Sequence, residues 1–576
     1  MNYAASAHPD IAAELPGWRA TALFAVLLAG LAGLIGRGAY LQVMHDDFLQ
    51  EKGNARYSRV IEVIAHRGMI SDRNGIPLAV STPVESVWAS PADVEIDSRQ
   101  IKQLAQILGM GAAELKNRLS DTSRDFVYLK RQLSPDQAEK VVSLNLPGIS
   151  LQREYRRYYP AGEVAAQALG FTGMDDNGQE GLEFALQDRL AGKSGSQRVI
   201  KDRRGRIVED AGNLRAPKPG SDIALSLDSN VQHLAYRELE SAVRQHKAKA
   251  GAVVVLDAKS GEVLALANYP AYNPNNRGKT GSQAMRNRAV IDLFEPGSTM
   301  KPFTVASALE QGKVRPETVI NTERGVLTVG NKKIRDTHPE PMLTVAQIIQ
   351  KSSNIGSAKI ALSLEAQTLW QSLADSGFGA QTGSNFPGEA PGKLRDPKTW
   401  RPIEQATLSY GHGMSVNLLQ LARAYTVFAN GGELKPVSLL KLDAPAVGKK
   451  VFSDGTARAL RDMLELAVQS GGTAPLAQVA GYRVAGKTGT AHKLENGRYI
   501  DRYVASFVGF APASNPRLIV AVMIDEPDNG QYYGGLVAAP VFSKVAGAAL
   551  HALNVPNDAP LDNVIAPPAD IIREEV

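Results

Sequence analysis

Between Arg19 and Arg37 the chain runs through seventeen consecutive uncharged residues, Ala20 to Gly36 (ATALFAVLLAGLAGLIG), followed by Gly38 to Val43 with no further charge. At about 1.5 Å of rise per residue, and with Arg37 able to snorkel its guanidinium to the interface, such a run can cross a bilayer as one helix. A cleaved signal peptide would have a shorter apolar region and a small-residue cleavage site close behind it, and no A-x-A site follows here. A buried core helix would not normally combine so long an apolar run with Gly30, Gly33 and Gly36. The run therefore reads as an uncleaved signal anchor. Its orientation is weakly encoded, because residues 1–18 hold Asp10 and Glu14 but no Lys or Arg.

Everything after the run is globular in composition. The 576 residues are 44% hydrophobic and 21% charged, which excludes both a multi-spanning membrane protein and a disordered chain. The net charge of +5 is too thinly spread for a nucleic-acid footprint. Cysteine is absent, which removes disulfides, thiolate metal sites and a cysteine nucleophile. The histidines form no HExxH or comparable cluster, so neither a metal nor a cofactor is expected.

Composition shifts near residue 50 and again at 212–222 (GNLRAPKPGSD), a Gly, Pro and charge mixture typical of a linker. The chain thus divides into a tail (1–18), a transmembrane anchor (19–43), a non-catalytic pedestal (44–215), a large domain (220–555) and a mobile C-terminal tail (556–576). In the pedestal, strand-like runs (Val60 to Ile64, Leu78 to Ser81) mix with helical ones (Ile101 to Leu108, Gly181 to Leu190). Its segments RGMISDRNGIPLA (67–79), REYRRYYPAGEVAAQALG (153–170) and KDRRGR (201–206) are basic and turn-rich, and read as salt-bridged packing. The large domain begins with a helix from Asn230 to about Lys247, then a hairpin, AVVVLD–KSG–EVLALANY. It ends with two apolar strands, YVASFVGFAP and RLIVAVMIDEP. Helices inserted between antiparallel strands predict an α/β (α+β) fold.

Chemistry must come from motifs. In FEPGSTMKPF the chain delivers Ser298 to the start of a helix that runs on through Phe303 and Leu309. Lys301, three residues on, shares its face, a geometry that suits a nucleophile and its base. Pro302 falls in the first turn, where a missing N–H costs least. Ser-x-x-Lys recurs at Ser438, Ser-x-Asn occurs at Ser143, Ser352 and Ser415, and Lys-[Ser/Thr]-Gly at Lys193, Lys259, Lys279 and Lys487. Each pattern alone is noise. The chain order S-x-x-K, S-x-N, K-[ST]-G selects Ser298, then Ser352 or Ser415, then Lys487. Ser415, just before NLLQLARAY, is explained as a helix N-cap. Ser352 and Asn354 lie in a polar break between two apolar helical runs and are the choice.

A competing motif overlaps the last one. Gly481 to Thr488 (GYRVAGKT) matches the phosphate loop G-x-x-x-x-G-K-[ST] in full. That loop needs a buried strand before it and a helix after it. GGTAPLAQVA is a poor buried strand, and GTAHKLENGRYIDRY has no helical period, so the context fails.

Taken together, the apolar anchor, RGMISDRNGIPLA, RRYYPAGEVAAQALGFT, VVVLDAKSGEVLALANYPAYNPN, EPGSTMKPFT, KSSNIG, YGHGMSVNLLQLARAYTVFANGG, AGKTGTA and GGLVAAPVF resemble the class B penicillin-binding proteins across nearly the whole chain. These are monofunctional peptidoglycan D,D-transpeptidases. EPGSTMKPFT, KSSNIG and the short length resemble the cell-division (septal) members more than the elongation members. The resemblance implies a penicillin-binding transpeptidase fold on a pedestal and a single transmembrane helix. It implies that Ser298 attacks the penultimate D-Ala of a pentapeptide stem, that a partly neutral Lys301 serves as base, and that Ser352 relays a proton while Asn354 holds the substrate amide and the lysine. Lys487 would be the second cation. Lys487 to Thr490 would form an edge strand paired with YVASFVGF, on which Gly489 lets substrate approach and Thr488 and Thr490 bind the terminal carboxylate. The N–H groups of Ser298 and Thr490 would form an oxyanion hole.

The implied partners are nascent peptidoglycan and β-lactam antibiotics and, by analogy, a polytopic lipid II glycosyltransferase and other division proteins, with no nucleic acid. A wall substrate puts the N-terminus in the cytoplasm and the remainder outside the inner membrane. The alternatives are an elongation-type enzyme, or a weakly active β-lactam sensor or scaffold. A soluble β-lactamase is disfavoured by the anchor and by the want of a clearly placed Glu base.

Overall fold

The computed structural model describes residues 17–44, 58–201, 207–278, 281–495 and 497–564. KDRRGR falls mostly outside them, as do residues 1–16 and 565–576. The apolar run forms the helix Gly17–Ala39, continued by a wider turn at Tyr40–Met44, and none of its side chains is buried. Its span, Gly17–Gln42, is long and apolar enough to cross a membrane.

The described chain forms two compact units, and it passes between them several times. One comprises residues up to Ile64 together with Val84–Glu154 and Ser194–Lys218; the other comprises Ala65–Pro83, Tyr155–Lys193 and everything from Pro219 onward. The segments carrying RGMISDRNGIPLA and RRYYPAGEVAAQALG thus belong with the larger unit, although they precede residue 215.

The smaller unit has an antiparallel three-stranded sheet, in which Gly195–Lys201 lies between Ser58–Val63 and Ile207–Arg215. The expected linker therefore begins later than 212, since Gly212 to Arg215 finish a strand. The helix Ser98–Leu108 opens on a capping box between Asp97 and Gln100 and closes on Gly109 in the left-handed conformation. Leu104 and Leu108 pack with Val87, Leu115, Leu129 and Val141 into a local core.

The larger unit is organised around a five-stranded antiparallel sheet. Its strands are β1 (Ala250–Asp257), β2 (Val263–Tyr269), β3 (Ala485–Glu495), β4 (Arg498–Ala511) and β5 (Leu518–Asp525), in the order β2-β1-β5-β4-β3. The helices that matter for the site are α1 (Ser229–Gln245), α2 (Lys301–Glu310), α3 (Val345–Lys351), α4 (Asn354–Leu362) and α5 (Ala539–Ala552). β1 and β5 read as unbroken apolar runs because both faces of the sheet are covered. Val253, Val255, Val520 and Val522 pack with Leu239 of α1 and Phe542 of α5. Val254, Leu256, Ile519 and Ala521 face the opposite core with Phe303 of α2 and Ile348 of α3. At about 1.5–3 kcal/mol for each large side chain fully buried, these two layers fix the sheet as a rigid platform.

The described part of the C-terminal segment, residues 556–564, is held by hydrogen bonds, unlike the mobile tail expected there. The Tyr482 hydroxyl donates to the Val555 carbonyl at 2.6 Å, Asp558 accepts from the Arg483 N–H at 2.7 Å, and Asn563 accepts from the Gly481 N–H at 3.0 Å. Residues 556–564 are thereby tied to the segment leading into β3, because this stretch supplies Asp and Asn where those backbone donors need acceptors.

Buried ion pairs account for the basic segments of the larger unit. Arg67 and Arg157 both bind Glu183, at 2.6 and 2.7 Å, with all three side chains almost wholly excluded from solvent. Two guanidiniums sharing one buried carboxylate are in keeping with packing as their role.

Candidate active site

Ser298 sits in a short 3-10 turn, Gly297–Met300, that leads directly into α2. Gly297 has φ +58°, and this left-handed residue turns the chain from Pro296 into the helix. Lys301 is the first residue of α2 and Pro302 the second, where proline is tolerated. Ser298 is 6% exposed and Lys301 is fully buried. The Lys301 ammonium donates to Ser298 Oγ at 2.9 Å, to Ser352 Oγ at 3.0 Å and to the Ser352 carbonyl. One side chain thus joins the first two motifs, 51 residues apart.

Ser352 occupies the break between α3 and α4, as the two apolar runs imply. It is itself left-handed, at φ 63° and ψ 40°. That conformation disfavours a residue with a Cβ. It directs both the carbonyl and the hydroxyl of one residue at one ammonium, and the sequence on either side holds it there. Ser353 caps α4 by accepting from the Gly356 N–H at 2.9 Å. Asp336, just after the strand Lys332–Arg335, accepts from the backbone N–H groups of Asn354 at 2.6 Å and Ile355 at 3.1 Å, and from the Ser353 hydroxyl at 2.5 Å. Asp336 was not anticipated from sequence. The only available signal was an acidic residue in a hairpin sixteen positions before Ser352, a separation with no local meaning.

The Asn354 side-chain amide donates to the Arg335 carbonyl at 3.4 Å, on the hairpin side of the turn. The rejected pair resolves differently. Asn417, not Ser415, is the N-cap of the helix Leu418–Ala424, accepting from the Gln420 N–H at 2.7 Å. Ser415 instead exchanges backbone bonds with Lys393. An Asn cap two residues further on satisfies the same donors.

Lys487 to Thr490 lie on β3, the edge of the sheet, in antiparallel register with β4: Lys487 opposite Val508, Thr488 opposite Phe507, Gly489 opposite Ser506 and Thr490 opposite Ala505. The expected edge strand paired with YVASFVGF is present. Because Gly486, Lys487 and Thr488 are within a strand and more strand follows, the phosphate-loop geometry is excluded. Lys487 is fully buried, with its ammonium 3.1 Å from Thr488 Oγ1, which in turn is 2.9 Å from Thr473 Oγ1. Thr490 Oγ1 accepts from the Gly534 N–H at 3.0 Å.

Glycine at 489 lies at a close approach between two elements. A Cβ there would lie 2.7 Å from the Pro296 carbonyl oxygen, 2.5 Å from Ser506 Oγ and 3.0 Å from Thr299 Cγ2. The missing side chain lets the strand press against the turn that carries Ser298. A Cβ at Gly297 would likewise sit 3.2 Å from the Thr490 carbonyl oxygen, so the two motifs touch backbone to backbone.

One further group reports on this centre. His412, in the loop after the helix Pro402–Leu408, has its pKa lowered to about 4 by burial, by the Lys301 charge and by His492. It is neutral at physiological pH. Among the described residues no group of acidic, His or Cys side chains is arranged to hold a metal.

Residues 251–547 match the penicillin binding protein transpeptidase domain, and residues 62–225 match the penicillin-binding protein dimerisation domain. The chain belongs to the class B penicillin-binding proteins. It is 46% identical over 535 residues to the probable peptidoglycan D,D-transpeptidase PenA of Neisseria gonorrhoeae, covering 92% of each chain. It is 42% identical over 555 residues to the peptidoglycan D,D-transpeptidase FtsI of Escherichia coli, covering 95% of this chain and 94% of that one. Among solved structures, the transpeptidase domain of Burkholderia pseudomallei penicillin-binding protein 3 is 48% identical, with a TM-score of 0.55 over 58% of this chain and 98% of its own. A peptidoglycan synthetase from Bifidobacterium adolescentis, 25% identical, matches with a TM-score of 0.70 over 90% of this penicillin-binding protein and 100% of its own chain. The dimerisation match runs across segments of both compact units, as expected where the chain passes between them several times.

Proposed function

We propose that this penicillin-binding protein is a peptidoglycan D,D-transpeptidase of septal wall synthesis, acting through an acyl-enzyme on Ser298. The observation that carries the reading is the single buried Lys301 ammonium within hydrogen-bond reach of both Ser298 Oγ and Ser352 Oγ. The similarity to proteins named FtsI and PenA, and the forms EPGSTMKPFT and KSSNIG, support the septal assignment.

In the first half-reaction Ser298 Oγ attacks the carbonyl carbon of the penultimate D-Ala while its proton passes to Lys301 Nζ. The lysine must be a neutral amine at that moment. A neutral amine keeps two N–H bonds, enough for the Ser352 carbonyl and hydroxyl, and turns its lone pair to the Ser298 hydroxyl, so the contacts persist with one direction reversed. The leaving amine of the terminal D-Ala takes its proton through the Ser352 hydroxyl, which is resupplied by Lys301. In the second half-reaction an amine of a neighbouring stem attacks the acyl carbonyl, Lys301 accepts its proton, and Ser298 leaves with a proton restored. Lys487, Thr488 and Thr490 would receive the donor's terminal carboxylate along the edge of β3, with Gly489 as the fixed spacer. The N–H groups of Ser298 and Thr490 would hold the oxyanion. Asn354 would orient the substrate amide and steady the turn. A β-lactam would acylate the same serine and be resolved slowly.

By this reading residues 1–18 lie in the cytoplasm, the helix within 19–43 is a single-pass anchor in the inner membrane, and the remainder is extracytoplasmic. The pedestal is then the smaller compact unit, drawn from within residues 44–215, and the transpeptidase is built on residues 220–555 together with 65–83 and 155–193. Division proteins, including a polytopic lipid II glycosyltransferase, would be its partners. Labelling of the full-length protein with a fluorescent penicillin, compared with Ser298→Ala, tests the chemistry. Loss of label in the variant is expected, and labelling that survives the substitution refutes the assignment of Ser298.

A further inference from the structure

Three segments remote in sequence converge on one carboxylate beside the nucleophile. Glu295 lies three residues before Ser298. Its Oε1 accepts from the Gly413 N–H at 2.8 Å, and the Tyr499 hydroxyl reaches both of its oxygens, at 3.2 and 3.0 Å. Gly413 belongs to the loop that also carries His412, and Tyr499 is the second residue of β4, opposite Leu494 of β3.

The placement matters because β3 is an edge strand, supported by a neighbour on one side only. Its inner half is pressed to the nucleophile turn at Gly489. Its outer half loses regular register between His492 and Lys493 and becomes exposed, so it is the softer end. The Tyr499 bond to Glu295 fastens that end of the hairpin to the same turn. The loop is wedged against the turn as well, since a Cβ on Gly411 would lie 2.2 Å from the Gly297 carbonyl oxygen. Burial raises the pKa of Glu295, and the Gly413 N–H and Tyr499 hydroxyl oppose that rise. These two neutral donors fix the carboxylate in direction, as suits a strut between backbone elements.

We propose that Glu295 is a positioning residue for acylation: it clamps the outer end of the Lys487 to Thr490 hairpin and the 411–413 loop to the turn that presents Ser298. This rests on the acyl-enzyme reading above, and the two fail differently. Absence of penicillin labelling in the wild type would count against that reading, whereas the clamp is judged from variants of a protein that labels.

The test uses the full-length protein in detergent micelles, with fluorescent penicillin binding resolved into a saturable dissociation constant and a first-order acylation rate. Glu295→Ala should slow the acylation step by roughly 10- to 100-fold, the scale of small misplacements of reacting groups, and leave the dissociation constant within about threefold. Glu295→Gln, which keeps an acceptor oxygen, should recover most of the rate. Tyr499→Phe should show a partial loss, and the double variant Glu295→Ala/Tyr499→Phe should be no slower than Glu295→Ala, because both remove one strut. The proposal is overturned if Glu295→Ala acylates within about twofold of wild type, if Gln recovers nothing, if the loss lies in the dissociation constant alone, or if the two losses multiply. Should Glu295→Ala not fold, Tyr499→Phe decides alone, with an unchanged acylation rate overturning the clamp.

Discussion

Replacing Asp336 with alanine would remove three bonds from the turn that presents Ser352: those from the Asn354 N–H, the Ile355 N–H and the Ser353 hydroxyl. Two of these donors are unsatisfied amides at the start of α4, and the carboxylate also complements the positive end of that helix. A net worth of about 1.5–3 kcal/mol for a charged hydrogen bond is an upper guide for each, since water reaches the half-exposed hairpin and the bonds share one acceptor. The expected loss of stability is about 2–4 kcal/mol. The functional effect should be larger than stability alone implies. Ser352 holds a left-handed conformation that costs about 1 kcal/mol or more, and relaxing it swings away both oxygens that meet Lys301. Acylation by a fluorescent penicillin, followed by stopped flow well below the melting temperature, should fall roughly 10- to 100-fold. Asp336→Asn should fall far less, because its carbonyl oxygen can still accept from both amides. Wild-type acylation in Asp336→Ala at full folding would refute the claim that this carboxylate sets the Ser352 geometry.

Gly489→Ala should slow penicillin acylation by at least about tenfold, because the added methyl meets the Pro296 carbonyl and pushes the strand off the nucleophile turn; an unchanged rate would show that the contact yields. Asp176 has its pKa raised to about 6, chiefly by burial, and one of its carboxylate oxygens is buried with no hydrogen-bond partner. A carboxyl whose pKa is raised on folding stabilises the fold below its unfolded pKa and loses that contribution as pH rises through 6. Asp176→Asn should therefore raise stability at pH 7.5 by about 1–3 kcal/mol, with the gain vanishing near pH 4, as checked by urea unfolding at both pH values. His412 works with the opposite sign on the acid side. Its pKa, lowered to about 4, means that the unfolded chain binds a proton before the folded one, so stability falls as pH drops from about 6.5 to 4. His412→Gln should flatten that acid limb by up to about 3 kcal/mol, and an unchanged pH profile of thermal melting would contradict the assignment.

The sequence carried the local part of this structure and missed the part made by distant contacts. The helix Ser229–Gln245, the hairpin of β1 and β2, and the pairing of β3 with β4 follow from periodicity and turn residues within short windows. The three motifs were legible through their order, and the break at Ser352 through its polarity. What could not be read was the set of partners for each. Asn354 turns to the Arg335 carbonyl because the hairpin beside it offers an acceptor. The glycine at 489 answers the Pro296 carbonyl, some 190 residues earlier in the chain. The N-cap at Asn417 was misassigned to Ser415 because either residue type serves that purpose and only backbone geometry separates them. Segment composition also misled at the domain border, where the regions around Arg67 and Arg157 precede the linker yet share their buried Glu183 within the larger unit.

These distant contacts share one physical logic. Lys301, at the start of α2, reads the position of Ser352 through two oxygens of that single residue, so an error in the α3–α4 turn reaches the proposed base directly. Asp336 holds that turn from outside. Gly489 and Gly297 hold the edge strand against the nucleophile from within, and Glu295 fastens its outer end. The fixed points join the nucleophile turn, the edge strand and the α3–α4 turn, and these elements are packed on a sheet buried on both faces, which cannot deform gradually. On the proposed mechanism, a nucleophilic serine whose base is a lysine needs such over-determination. An ammonium is a point charge without the fixed fork of a guanidinium, so its direction must be set by its acceptors. It follows that variants at the outer supports should impair acylation before they impair folding, whereas variants in the layers beneath β1 and β5 should do the reverse.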